Sequence, residues 1–261
     1  GDDPHSHRVR IVLAAKGLEA RIVEVDPARP PEDLIDLNPF QAIPTLVDRD
    51  LVAYGAGIVT EYLDERFPAP ALLPGDPAGR AQARVALHRI EQDWYALVPS
   101  LEGGEKRDET RGRRLLLEAV LAAEPLFRVK PWLLSDHFSL LDAAVAPILW
   151  RLPRWRVTVP AGTAPLERYS QRVFAHPAFR AELFAQAQAK GYIPADQSLK
   201  NLRAYPVEEE HTVELKDRRT VLLRPAVSSD GAEIRNLFHT LTDEDVKTRF
   251  FRTVRGLSAD D

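Results

Sequence analysis

Cysteine and methionine are both absent from the 261 residues. Without cysteine there is no disulfide, no thiolate nucleophile and no cysteine-ligated metal. Without methionine, even at position 1, the natural start is expected to lie upstream of Gly1 or to have been removed. No apolar run approaches the roughly 20 residues that span a bilayer. No N-terminal stretch has the charged, then apolar, then small-residue order of a signal peptide, so a soluble, cytoplasmic chain without membrane contact is expected. A field of one charge is lacking as well. The 35 Lys and Arg stand interspersed against 39 Asp and Glu, which argues against direct nucleic-acid binding.

What is present is long enough for more than one folded unit. "HSHRVRIVLAAKG" reads as an amphipathic helix with Val9, Val12 and Leu13 on its apolar stripe, Arg8 and Arg10 off it, and Gly17 as its stop. "ARIVEVD" alternates like a short strand. The apolar runs Ile43 to Val47 and Leu51 to Tyr54 flank Asp48-Arg49-Asp50 as a hairpin. "GIVTEYLDERFP" then makes a helix with Ile58, Tyr62 and Leu63 inward and Pro68 closing it. From about Ala71 the pattern is helical. "SDHFSLLDAAVAPILWRL" carries a capping box, Ser139 and Asp142 each serving the other's amide, ahead of a central apolar helix that Pro147 should kink. "YIPADQSLKNLRAYPVEEE" breaks periodicity and reads as a linker. "HTVELKDRRTVLLRPA" reads as strand, turn at Asp217-Arg218-Arg219, and strand, with a helix expected from Ser228, Ser229 or Asp230.

A helix, strand and hairpin, the strand-to-proline step in "AIPTLVD" and a helical half with that capping box together resemble the glutathione transferase fold. The strings "SHRVRIVLAAKG", "DLIDLNPFQAIPTLVDRDLVAY", "EYLDERFPAPALLP" and "SDHFSLLDAAVAPILWRLP" are similar to its stringent starvation protein A branch, over Gly1 to about Phe184. The resemblance implies a thioredoxin-like α/β domain over 1–70, an all-helical domain over 71–185, dimerisation, no transferase activity and RNA polymerase as partner. It also implies a cis Pro44, whose preceding residue Ile43 offers its backbone to an extended ligand. In this fold a first strand precedes "SHRVR", and Gly1 to Pro4 cannot supply it, so the sheet is expected to lack an inner member and to leave two unpaired edges.

Two further departures bear on function. After Tyr54 the family reads an acidic residue, Ser and Arg, whereas this chain reads Gly55, Ala56 and Gly57. In transferases the acid pairs with the ammonium of glutathione, while the hydroxyl and helix-start amides hold its carboxylate; losing a charge-assisted contact costs about 1.5–3 kcal/mol. Ile43, Pro44, Gly55 and Ala56 are therefore expected to form a vestigial site, with no cofactor bound or glutathione held weakly. The family's Pro-His-Pro turn, implicated in partner contact, is Pro68-Ala69-Pro70 here. The tail from Tyr205 to about Leu257 resembles the start of a GNAT-type acetyltransferase. It ends before any glycine-rich turn for acetyl-CoA, so residues 207–261 are expected to be an incomplete α/β segment after a 186–206 linker.

Other residues admit two readings. Ser6 stands where some transferases place a thiol-activating hydroxyl, but capping a helix start is its common role. Asp2, Asp3, His5 and His7 suggest a metal cluster or a solvated terminus, and the terminus is preferred. Arg111 to Arg114 and Trp150 to Arg156 suggest an acidic-partner surface or a solvated face beside core Trp. Trp94 and Tyr95 fit a buried seam between the halves. The expected function is thus a non-catalytic scaffold. Two alternatives stay open, a glutathione-dependent transferase using Ser6 and the Ile43-Pro44 backbone, and a fusion or fragment carrying part of an acetyltransferase.

Overall fold

The structure is a computed structural model describing residues 3–26, 29–160 and 162–190, together with two short strands in the tail. The chain divides into two compact units, residues 1–195 and 196–261.

Helix α1 (Pro4–Ala15) begins where it does because the Asp3 carboxylate accepts the Ser6 amide at 2.9 Å and Pro4, in the first turn, has no amide to satisfy. Asp3, not Ser6, is therefore the cap. The helix stops at Gly17, whose φ of 63° suits glycine. α1 packs on α3 (Ala56–Arg66), α7 (Leu140–Arg151) and α9 (Pro177–Ala189). With neighbours on several sides it buries more than one stripe. Arg8, expected on the outer face, is 0% exposed, and His7 is enclosed with it. Enclosure makes partners obligatory. The Arg8 guanidinium pairs with Glu91 and lies 6.0 Å from the centre of the Tyr95 ring.

After a short α2 (Glu32–Leu37), the hairpin forms from β1 (Thr45–Asp48) and β2 (Leu51–Tyr54). Asp48 pairs with Leu51, so the turn is only Arg49-Asp50, tighter than expected, with Arg49 at φ 56°. Asn38 braces the approach to β1 by donating to the Ala42 carbonyl at 3.1 Å and the Thr45 hydroxyl at 3.0 Å. The stretch Arg21–Asp26, expected as a strand, joins no ladder, and Ile22 and Val23 stand exposed. A strand needs an adjacent edge to pair with, and this stretch and β1 instead both line a groove of about 1110 Å³ together with Val9, Leu13, Val59 and Leu63. The only ladder in this thioredoxin-like half, among the described residues, is β1–β2.

In α3 the buried face is Ala56, Val59, Thr60 and Leu63, while Ile58, expected inward, is 65% exposed. The apolar residues Ile58 and Val59 are adjacent and so face about 100° apart; tertiary packing chose Val59. α3 ends at Arg66, ahead of Pro68.

The helical half comprises α4 (Pro77–Asp93), α5 (Val98–Gly103), α6 (Lys106–Ala123), α7, α8 (Ala164–Ala175) and α9. α7 is its centre. Asp142 accepts from the Ser139 amide at 2.9 Å and hydroxyl at 2.8 Å, from the Leu133 amide at 2.9 Å and from the Tyr169 hydroxyl at 2.7 Å. The capping box thus holds a loop and α8 as well as its own helix. Pro147 sits inside α7 without ending it, and Arg151 donates to the Pro147 carbonyl at 2.9 Å. Trp94 and Tyr95 are buried as expected, Tyr95 donating to the Ala144 carbonyl at 2.8 Å. α9 continues to Ala189, beyond the point at which a linker was expected.

In the second unit, β3 (His211–Glu214) pairs antiparallel with β4 (Thr220–Leu223), Glu214 opposite Thr220. The two expected strands are therefore present and paired, while the turn at Asp217-Arg218-Arg219 and the helix after Ser228 lie outside the described residues.

Candidate functional site

The residues singled out near the hairpin do come together. The Ile43–Pro44 peptide bond is cis. The Pro44 carbonyl accepts the Gly55 amide at 3.2 Å, tying the turn into β1 to the start of α3. Gly55 is the cap of α3 with φ 86° and ψ 124°, and no side chain caps that helix. Its first turn carries no acidic residue. Thr60 is the nearby hydroxyl, and it is committed inside the helix, donating to the Ala56 carbonyl at 2.8 Å. What this helix start offers an outside group is backbone.

Ser6 lies in the first turn of α1 and is buried, lining the groove. Neither neighbouring histidine is placed to activate it. His5 turns its ring to Tyr95, with centroids 4.6 Å apart, and burial lowers its pKa. His7 turns to the far side, where Nε2 lies 2.8 Å from Glu182. Asp3, His5 and His7 therefore serve three separate places rather than one metal site. Asp2 lies outside the described residues.

The turn Pro68-Ala69-Pro70 is exposed, and its Ala69–Pro70 bond is cis. Sequence reasoning missed what holds it. The buried Lys16 ammonium reaches across from the end of α1 to the Asp64 carboxylate, the Phe67 carbonyl and the Pro70 carbonyl. Asp64 in turn accepts the Leu72 amide at 2.8 Å and the Leu73 amide at 3.1 Å. Both sides of the turn are thereby fixed to α1. A lysine and an aspartate 48 positions apart give no local signal, although a Lys just before a helix-ending glycine was visible.

The arginine clusters divide. Arg113 pairs with Glu109 and Arg114 with Glu118, as on a solvated face. In the second cluster Arg151 and Trp155 are buried, so that stretch is not a continuous outer surface.

A thioredoxin-like half that presents a cis-proline beside a helix start, joined through α1 to an all-helical half, defines a glutathione S-transferase fold. The family description "Glutathione S-transferase, N-terminal domain" matches residues 4–66, and "Glutathione S-transferase, C-terminal domain" matches residues 85–177. The stringent starvation protein A homolog of Coxiella burnetii is 42% identical over 182 residues, covering 69% of this chain and 87% of that one. The homolog of Haemophilus influenzae is 42% identical over 179 residues, covering 68% and 84%. Among solved structures, a glutathione S-transferase from Sinorhizobium meliloti superposes with a TM-score of 0.62 at 25% identity, covering 70% of this chain and 89% of that one. The chain belongs to the glutathione S-transferase family, among the stringent starvation protein A homologs.

Proposed function

We propose that this protein is a non-catalytic scaffold of the transferase fold that acts in the cytoplasm by protein contact, with RNA polymerase as its partner. The observation that carries the reading is the start of α3. Gly55, Ala56 and Gly57 place no acid and no hydroxyl where a ligand's ammonium and carboxylate need them, and Gly55 occupies a backbone conformation that other residues adopt at a cost. A second support is the Pro68-Ala69-Pro70 turn, which is exposed yet anchored on both sides by Lys16 and so keeps its shape for a partner. The protein acts as a dimer through the apolar side chains that α3 and α4 leave in water, Ile58 and Val85, whose helices the Arg84–Glu61 ion pair bridges.

The test is amide exchange at residues 43–58 with millimolar glutathione, alongside gel filtration with purified RNA polymerase holoenzyme. Unchanged exchange and co-elution are expected. Protection gained at 43–58 without co-elution overturns the reading in favour of a glutathione-dependent transferase, the alternative that the groove lined by Ser6, Ile43 and Pro44 favours.

A further inference from the structure

On the helical half, α8 and the short 3-10 helix Glu124–Arg128 carry a concentration of cations far from the start of α3 in sequence. Arg128, Lys130, Arg168 and Arg172 line a hollow of about 440 Å³, and no carboxylate lines it. In a chain with 39 acidic and 35 basic residues, such a grouping runs against the overall balance.

Two of these cations are offset locally. Arg128 pairs with Glu124 at 2.8 Å and Lys130 with Asp136 at 2.8 Å, both at the surface, where such pairs contribute little. The other two are not offset. The Arg172 guanidinium donates to the Pro131 carbonyl, which orients it without cancelling its charge. Arg168 is exposed and has no hydrogen bond or ion pair among the described residues. These two arginines stand four positions apart on α8 and so share a face, where like charges repel. The arrangement is unfavourable in the free chain and becomes favourable once an anionic group lies across both.

The floor beneath them is fixed. Phe127 stacks on Tyr169 with ring centroids 4.4 Å apart, and the Tyr169 hydroxyl donates to Asp142 at 2.7 Å. Tyr169 lies between Arg168 and Arg172 on α8, so the capping box of α7 holds the platform that carries both guanidiniums. A platform already in place loses less freedom on binding. In the adjoining chain Leu126 and Val129 leave apolar surface in water, Val129 at 67% exposure.

We propose that this hollow docks an acidic peptide segment of a partner protein, with its carboxylates across Arg168 and Arg172 and a neighbouring apolar side chain over Val129. Such a role rests on the chain acting by protein contact. Guanidinium forks match carboxylates in planar pairs. The exposed apolar side chains favour a peptide over a nucleic acid, because a phosphate backbone presents only charge to them. Two uncompensated cations are also far fewer than the run of phosphate contacts that holds a duplex.

Fluorescence anisotropy of a fluorescein-labelled hexaglutamate peptide with the full chain, at low and at physiological salt, tests the site. Saturable binding is expected, weaker at the higher salt. Arg168→Glu is expected to weaken it by about tenfold or more. Arg107→Glu makes the same change in net charge on the exposed surface of α6 and is expected to leave it within about twofold. Absence of saturable binding, or equal weakening by the two variants, overturns the docking site. Displacement by equimolar inorganic phosphate also overturns it, in favour of a phosphate site. If Arg168→Glu does not fold, the amide chemical shifts of the natural chain decide. Peptide-induced changes at residues 126–130 and 168–172 support the site, and their absence there overturns it. Co-elution with RNA polymerase does not enter these readouts, so failure of the docking site and failure of the scaffold reading are told apart.

Discussion

Single residues carry much of the order here, and Asp142 is the clearest case. Its two oxygens accept from Ser139, Leu133 and Tyr169, and burial nevertheless pushes its carboxyl up from the usual value. In Asp142→Asn the new amide faces donors in place of acceptors, so at least one buried partner is stranded. The expected loss is about 3 kcal/mol in a urea titration monitored by circular dichroism. Lys16→Met removes one partner of a pair whose ammonium is fully enclosed. A loss of about 3 kcal/mol is expected, with exchange rising at residues 67–73 before the rest of the chain. The two sites differ in how legible they were. Ser139 and Asp142 are three positions apart, so their reciprocal capping could be read as a string. The Asp3 cap is equally readable, since an Asp before a Pro is a helix-start signal. Arg8 and Glu91 are 83 positions apart, and nothing near either one announces burial.

At the scale of elements, α3 separates what sequence pattern can decide from what packing decides. The helix and its end were legible from periodicity and from Pro68. Its inward face was not, because Ile58 and Val59 both satisfy an apolar stripe and only the neighbouring α1 distinguishes them. The helix start makes a test of backbone against side chain. Gly55→Ser forces a side chain into a φ of 86° and is expected to cost about 1–3 kcal/mol in thermal unfolding. Gly57→Ser, inside the helix with only a Glu91 carboxylate oxygen 3.9 Å from the new Cβ, is expected to change stability by no more than about 0.5 kcal/mol. Equal effects at the two positions would mean that the strain at Gly55 is relieved elsewhere. The stretch Arg21–Asp26 teaches the complementary lesson. Alternation marks a segment fit to be a strand, but a ladder also needs an adjacent edge, and this stretch lines a groove with β1 instead of pairing with it.

For the whole molecule, the order of the halves was legible because each leaves a different period in the sequence, mixed up to about residue 70 and helical afterwards. The contacts that join the halves were not, since they pair α1 with residues 83 or more positions away. The proposed association of two copies makes a prediction at this scale. Val85→Glu places a charge on the exposed side of α4 and is expected to shift the gel-filtration peak from dimer to monomer while leaving the circular dichroism spectrum unchanged. An unshifted dimer peak would place the interface elsewhere. α1 itself has a consequence beyond packing. His7 fastens one end of it to α9, and Lys16, about 14 Å further along at 1.5 Å per residue, fastens the other end to the Pro68-Ala69-Pro70 turn. A helix clamped at both ends behaves as a tie-beam. Loosening either clamp would relax both, so the surface shown to a partner depends on a buried contact that the partner never touches.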